Sequence, residues 1–196
     1  IPDSVTSIGD SAFWNCDSLT SITIPDSVTS IGAEAFTFCN SLTSIDIPDS
    51  VTSIGDNAFT LCVALTSINV SSGNSHYGSD NGVLFNKDKT ELIQYPIGKQ
   101  DTAYQIPDGV TNIVDAAFAY CVSLTSITIP DSVTNIGLGA FVYCVSLTNI
   151  TIPDSVTNIV DVAFAYCVSL TSITIPASVT SIGEYAFYNC SSLTSI

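Results

Sequence analysis

Along most of this chain apolar residues recur in one fixed order. Between Ile24 and Asp46 they stand at Ile24, Val28, Ile31, Ala35, Phe36, Cys39, Leu42 and Ile45. Neither a period of 2 nor one of 3.6 accounts for all of them. The spacing changes within the stretch, as it does in a coil assembled from several short elements. Leu42-Thr43-Ser44-Ile45-Asp46-Ile47 alternates apolar and polar residues and predicts a short strand. Pro48 and Asp49 end it in a turn, Pro presetting φ and Asp suiting the next turn position. Val51 to Ile54 predicts a second extended piece. Asp56-Asn57-Ala58-Phe59 predicts a capped helical turn, with Asp56 as N-cap and Phe59 and Cys62 on one face.

The same pattern of 23 residues restarts at Ile1, Ile24, Ile47, Ile106, Ile129, Ile152 and Ile175. Asp or Glu fills the cap position in five of these seven units, Ala33 and Leu138 being the others. Gly precedes it in five, but Val114 and Val160 stand in its place, so that position does not demand φ > 0. One such coil cannot bury its apolar face alone. Stacked coils can, at about one strand spacing, roughly 4.8 Å each. A repeat of 20–29 residues is the range of leucine-rich solenoids. The expected organisation is therefore one array over 1–196, a piece of something longer.

The unit LTSIxIPDSVTSIGxxAFxxCxS resembles the BspA-like, or Treponema pallidum type, leucine-rich repeats. The likeness covers nearly the whole chain, because IP, the AF pair and the Cys recur in phase. It implies a right-handed solenoid with a parallel β-sheet on one face and short strands and helical turns elsewhere. It also implies a secreted or cell-surface protein, several members of the family being adhesins for host proteins or other cells.

One unit is irregular. Val70 to Gln105 is 36 residues long and carries all three Lys, the only His and the pair Asn81-Gly82. Val83-Leu84-Phe85 and Leu92-Ile93-Gln94-Tyr95 flank Asn86 to Thr90 and predict a β-hairpin with a polar turn. GVLFNKDKTELIQYPIGK resembles the hairpin unit of BspA-like proteins. The segment is either an insertion tolerated on one rim or a local recognition element.

Charge narrows the function. Eighteen acidic groups face three Lys and no Arg, a net charge of -15. Nucleic acid and anionic membrane both need basic surface, so neither is expected as a partner. No apolar run is long enough to span a bilayer. The seven Cys share one phase of the unit. Stacked in register, their Cβ vectors would run parallel, which opposes pairing, so they predict buried thiols. No CxxC is present, so zinc is not expected. The column Asp3, Asp26, Asp49, Asp108, Asp131 and Asp154 lacks the calcium β-helix pattern and predicts solvated turn residues. No GxSxG, HExxH, P-loop or Rossmann motif occurs, and His76 stands alone, so no catalytic residue, cofactor or metal is expected.

What remains is surface. If Leu42, Ile45 and Ile47 face inward, Ser44 and Asp46 face outward. The candidate partner-binding face is then Ser44, Asp46, Ser67, Asn69, Thr128, Asn149, Thr151 and Thr174, with Lys87 and Lys89 from the hairpin. Phe38, Leu61, Tyr120, Tyr143 and Tyr166 form another column, explained by stacking between coils or by an interface. The expected function is a non-catalytic adhesion or protein-binding module. It would engage host, neighbouring-cell or extracellular-matrix proteins, or glycans. The alternative is a structural spacer displaying another domain. Without polar caps the array is also expected to associate end to end.

Overall fold

The structure, a computed structural model, describes residues 1–196. The chain divides into two compact units. The first is Ile1–Lys89 with Ile93–Lys99, the second Thr90–Leu92 with Gln100–Ile196. Both are leucine-rich-repeat stacks of short parallel strands, and neither contains a helix.

In the first unit, β1 (Ser7–Ile8), β2 (Ser30–Ile31) and β4 (Ser53–Ile54) form one parallel column, and β3 (Ser44–Ile47) pairs with β5 (Ser67–Val70) in another. β6 (Tyr77–Asp80) and β7 (Val83–Asn86) follow as an antiparallel pair. β8 is Glu91–Gln94. In the second unit, β9 (Ala103–Gln105), β11 (Ser126–Thr128), β13 (Asn149–Thr151) and β15 (Ser172–Thr174) make a four-stranded parallel sheet. Among the short strands, β10 (Asn112–Ile113) pairs with β12 (Asn135–Ile136), and β14 (Asn158–Ile159) with β16 (Ser181–Ile182), all parallel. The strands preceding the Ile-Pro pairs were expected to form one sheet. They form two, β3–β5 and β9–β11–β13–β15.

The register explains the sequence repetition. Residues 23 apart sit opposite each other, Ile45 on Ile68 and Ile150 on Ile173. Apolar repeat positions therefore stack in columns. Phe13, Phe36 and Phe59 stack in the first unit with centroids 5.2 and 5.8 Å apart. Phe118, Phe141, Phe164 and Phe187 do so in the second at 5.2, 5.2 and 5.5 Å. Each such pair adds about 0.5–1.5 kcal/mol beyond area burial.

Polar repeat positions also form columns, each satisfying the coil before it. The Oγ1 of Thr29, Thr52, Thr134 and Thr180 donates to the carbonyl of the Thr 23 residues earlier. Thr66, Thr148 and Thr171 do the same in a second column. Ser27, Ser50, Ser132 and Ser178 donate to the Val carbonyl of the previous turn, at 2.7–2.8 Å. That turn is Pro-Asp-Ser-Val with Pro in its first place, since the Val28 N–H donates to the Pro25 carbonyl. Pro therefore stands one position earlier in the turn than the sequence predicts.

The expected helical turn is absent. The residue after each cap position has positive φ: Ser11, Glu34, Asn57, Ala116, Gly139, Val162 and Tyr185. A left-handed residue there breaks any helix after its first bond. The chain instead makes interleaved turns, Trp14 N–H to Ser11 O and Cys16 N–H to Phe13 O. Alternate amides reach the next coil, Ser11 N–H to Ala33 O and Phe13 N–H to Ala35 O. The Asp residues cap across coils and not along a helix. Oδ1 of Asp10, Asp115 and Asp161 accepts the N–H of Ala33, Leu138 and Glu184.

The coil beneath crowds the neighbouring glycine with its backbone and, where a cap is present, with the capping carboxylate. A Cβ on Gly32, Gly137 or Gly183 would lie 2.3–2.6 Å from the capping Asp of the coil beneath. Every residue receiving such a cap is preceded by Gly. Val160 lies above the coil of Leu138, which has no carboxylate to offer. Gly55 lies above Ala33 and is crowded by backbone alone, at 2.4 Å.

Candidate functional site

The candidate face residues fall into two groups. In the first unit the alternating burial of β3 puts Ile45 and Ile47 inside and Ser44 and Asp46 outside. Asn69, opposite Asp46, donates from Nδ2 to Asp46 Oδ1 at 2.8 Å, and the Ser67 hydroxyl donates to Asn69 Oδ1 at 2.5 Å. These bonds hold the polar side chains in one arrangement before any partner arrives.

The hairpin packs beside them. Asn81 and Gly82 have φ of 49° and 79°, the two-residue turn whose twist suits antiparallel strands. β6 and β7 pair from Tyr77↔Asn86 to Asp80↔Val83. The expected flanks, Val83-Leu84-Phe85 and Leu92-Ile93-Gln94-Tyr95, fall on β7 and β8, except that β8 ends at Gln94. β6 was missed, although Asn-Gly marked its turn. Ile68 N–H donates to Gly82 O, and Val70 N–H to Ser79 Oγ, so two bonds tie the hairpin to β5. Lys89 and Asp80 form an ion pair at 2.8 Å. Lys87 Nζ donates to the carbonyls of Asn74 and Ser72. Both lysines are exposed but engaged, Lys89 by Asp80 of β6 and Lys87 by the loop before β6.

Asn74 anchors this region and was not singled out from sequence. It is fully buried. Its Nδ2 donates to Pro48 O and Val51 O at 2.8 and 2.9 Å, and its Oδ1 accepts the N–H groups of His76 and Tyr77. It occupies the rung that Ser27 and Ser50 occupy in the regular coils.

In the second unit Thr128, Asn149, Thr151 and Thr174 are all exposed on the four-stranded sheet, with Thr151 opposite Thr174. The face is flat and built of small polar side chains. The tyrosine column is a stack: Tyr120, Tyr143 and Tyr166 lie with centroids 4.6 and 4.2 Å apart and nearly parallel rings. All three have left-handed backbone, as do Phe38 and Leu61. Stacking offsets that strain, and Asn15 and Asn189, which tolerate it, stand at the same position. A hydrogen bond with Tyr143 raises the Tyr166 phenol above its ordinary pKa.

The cysteines line the interior. Sγ of Cys39, Cys62, Cys144, Cys167 and Cys190 donates to the Phe carbonyl 26 residues earlier, at 2.9–3.2 Å. Burial pushes the Cys62 thiol up to about 12 and raises those of Cys121, Cys144 and Cys167 well above their ordinary value. Such thiols are poor nucleophiles at neutral pH. No group of three His, Cys, Asp or Glu side chains gathers as a metal site.

Known structures share this architecture. A leucine-rich cell surface protein from Faecalibacterium prausnitzii A2-165 is 41% identical over 100% of this chain and 58% of its own, with a TM-score of 0.83. The pneumococcal vaccine antigen PcpA is 28% identical over 97% of this chain and 53% of its own, with a TM-score of 0.86. The leucine-rich repeat protein of T. pallidum is 29% identical over 97% of this chain and 72% of its own, at 0.51. The chain thus spans little more than half the length of the first two. No curated sequence matches it. The family model of the BspA-type leucine-rich repeat region matches six copies, over residues 1–101 and 98–196. With repeat columns in phase within each unit and the family model matching along the chain, this chain belongs to the BspA-type leucine-rich repeat family.

Proposed function

We propose that this chain is a non-catalytic protein-binding module of a secreted or cell-surface protein, and that it serves adhesion to proteins of a host, a neighbouring cell or the extracellular matrix. The observation that carries the reading is the exposed, pre-ordered polar strand face, with Ser67, Asn69 and Asp46 linked by hydrogen bonds. Small Ser and Thr side chains lose little rotamer entropy when covered, and a shallow row of donors and acceptors suits a broad partner. The surface description of the Faecalibacterium relative supports the location. Near-identical rungs discriminate poorly, so binding per unit is weak and gains from multivalency in a longer parent.

The test is surface plasmon resonance of the chain against immobilised fibronectin, fibrinogen, laminin and collagen. We expect saturable binding to at least one. The pair Asp46→Lys with Asn69→Lys, or Lys87→Glu with Lys89→Glu, should weaken it at least tenfold in a folded protein. Binding unchanged in both variants removes the strand face from the reading. The ladders, repeated rung after rung, equally suit a rigid spacer, and a chain that binds none of the four proteins supports that second reading.

A further inference from the structure

The second unit carries an open groove of about 550 Å³ along its short strands, away from the residues of the strand face. Asn135, Asn158 and Ser181 line it with Asp115, Leu138 and Asp161. The first three stand 23 residues apart and so do the last three, so the groove is bordered by two columns in phase. Gly137 and Val160 lie between the columns in sequence and line the groove too.

Two departures from the repeat meet here, and the fold needs neither. Ser7, Ser30 and Ser53 hold the asparagine position in the first unit, in strands of the same register. Ser181 holds it in the second. The amide is therefore dispensable for the coil. Asn135 makes no side-chain hydrogen bond within the protein, and Asn158 uses only Oδ1, accepting the Ser181 hydroxyl. Leu138 occupies a position that Ala33 fills elsewhere, and half of it is exposed to solvent, between two carboxylate rungs. Asp115 and Asp161 each commit Oδ1 to a cap and leave the second oxygen without a partner.

We propose that this groove binds a neutral, extended oligosaccharide. An unengaged amide offers a donor and an acceptor side by side, which suits a pair of vicinal hydroxyls. A carboxylate oxygen accepts a third hydroxyl strongly. The Leu138 methyl groups give the C–H face of a pyranose an apolar seat. Rungs about 4.8 Å apart match the rise of roughly one hexose along an extended chain, so successive sugars meet equivalent side chains. With two carboxylates and no Lys in the lining, phosphate, sulfate and uronate are repelled. A peptide cannot add as a strand, because the ladder already uses the short strands' amides, Gly137 N–H on Ile113 O and Gly183 N–H on Ile159 O.

The chain is titrated calorimetrically with cellohexaose, mannohexaose, maltohexaose and chitohexaose. Three variants follow: Asn135→Ser with Asn158→Ser, Leu138→Ala, and Thr151→Lys on the strand face. The first two install residues that the repeat already uses at those positions, so their thermal unfolding should match the parent. We expect saturable binding of at least one sugar. The paired asparagine variant should weaken it at least tenfold, Leu138→Ala several-fold and Thr151→Lys not at all. No binding by any of the four sugars, or equal affinity in the paired variant, overturns the proposal. So does a Thr151→Lys variant that alone loses the sugar, which would place the site on the strand face. Absence of matrix-protein binding in the unaltered chain, with sugar binding intact, would count against the strand-face reading only.

Discussion

The regular coils from Ile106 to Thr174 and the segment from Val70 to Lys89 meet the same demand in opposite ways. Every coil must satisfy the carbonyls of the coil before it. The regular coils do so with many small, interchangeable bonds, such as Ser132 Oγ to Val110 O and Thr148 Oγ1 to Thr125 O. The irregular segment concentrates the task in one residue, Asn74, which makes four bonds from a buried site. Repetition spreads the loss from a single mutation thinly, whereas a break in the period makes one residue indispensable.

The largest test of that contrast is alkaline. Burial raises the pKa of Cys39, Cys62, Cys121, Cys144, Cys167 and Cys190 in the folded chain. The folded state holds those protons more tightly than the unfolded state, whose thiols titrate near 9. The stabilisation is complete below pH 9 and lost as pH rises from 9 toward 12 and above. Each tenfold difference in proton affinity is worth about 1.4 kcal/mol, so the thiols together should outweigh any single substitution. Urea unfolding at pH 8, 9.5 and 11 checks this. The regular second unit, with the more deeply buried thiols, should lose more than the first, which Trp14 fluorescence reports separately.

Asn74→Ala comes next. It strands two buried carbonyls and two N–H groups and should cost about 3 kcal/mol or more in urea denaturation. A loss below about 1 kcal/mol would erase the contrast. Gly137→Val should cost about 1–3 kcal/mol, because its Cβ would meet the Asp115 backbone amide at 2.5 Å and the Asp115 Oδ1 at 2.6 Å. Asp115→Ala should relieve part of that crowding in the double variant. The smallest effect belongs to the regular ladder: Ser132→Ala should cost about 1 kcal/mol by the same assay.

The period, the inward phenylalanines and the outward Ser44, Asp46 and Thr151 were legible in the sequence, because stacking in register turns each repeat position into a column. The missing helical turn was not. Phe59 and Cys62 keep a helical spacing, but a left-handed Asn57 decides the path, and nothing in its residue type requires it. That the glycine position does not demand positive φ was legible from Val114 and Val160, but the crowding of Gly137 was not, because Asp115 lies a full coil earlier. The Cys-to-Phe bonds escaped for the same reason, linking residues 26 apart. The groove went unread because Asn135 and Leu138 look like ordinary drift until two columns enclose a space.

The bonds between neighbouring coils also set a mechanical response. Within either unit they lie along the stacking direction, as in Thr171 N–H to Thr148 O. Tension applied along that direction loads the rungs one after another instead of all at once. A stack pulled from its end therefore peels, each coil yielding while those behind it hold, as nearest-neighbour coupling dictates. A coil of 23 residues releases about 80 Å of extended chain when it lets go. Such a stack releases its chain in equal steps under load.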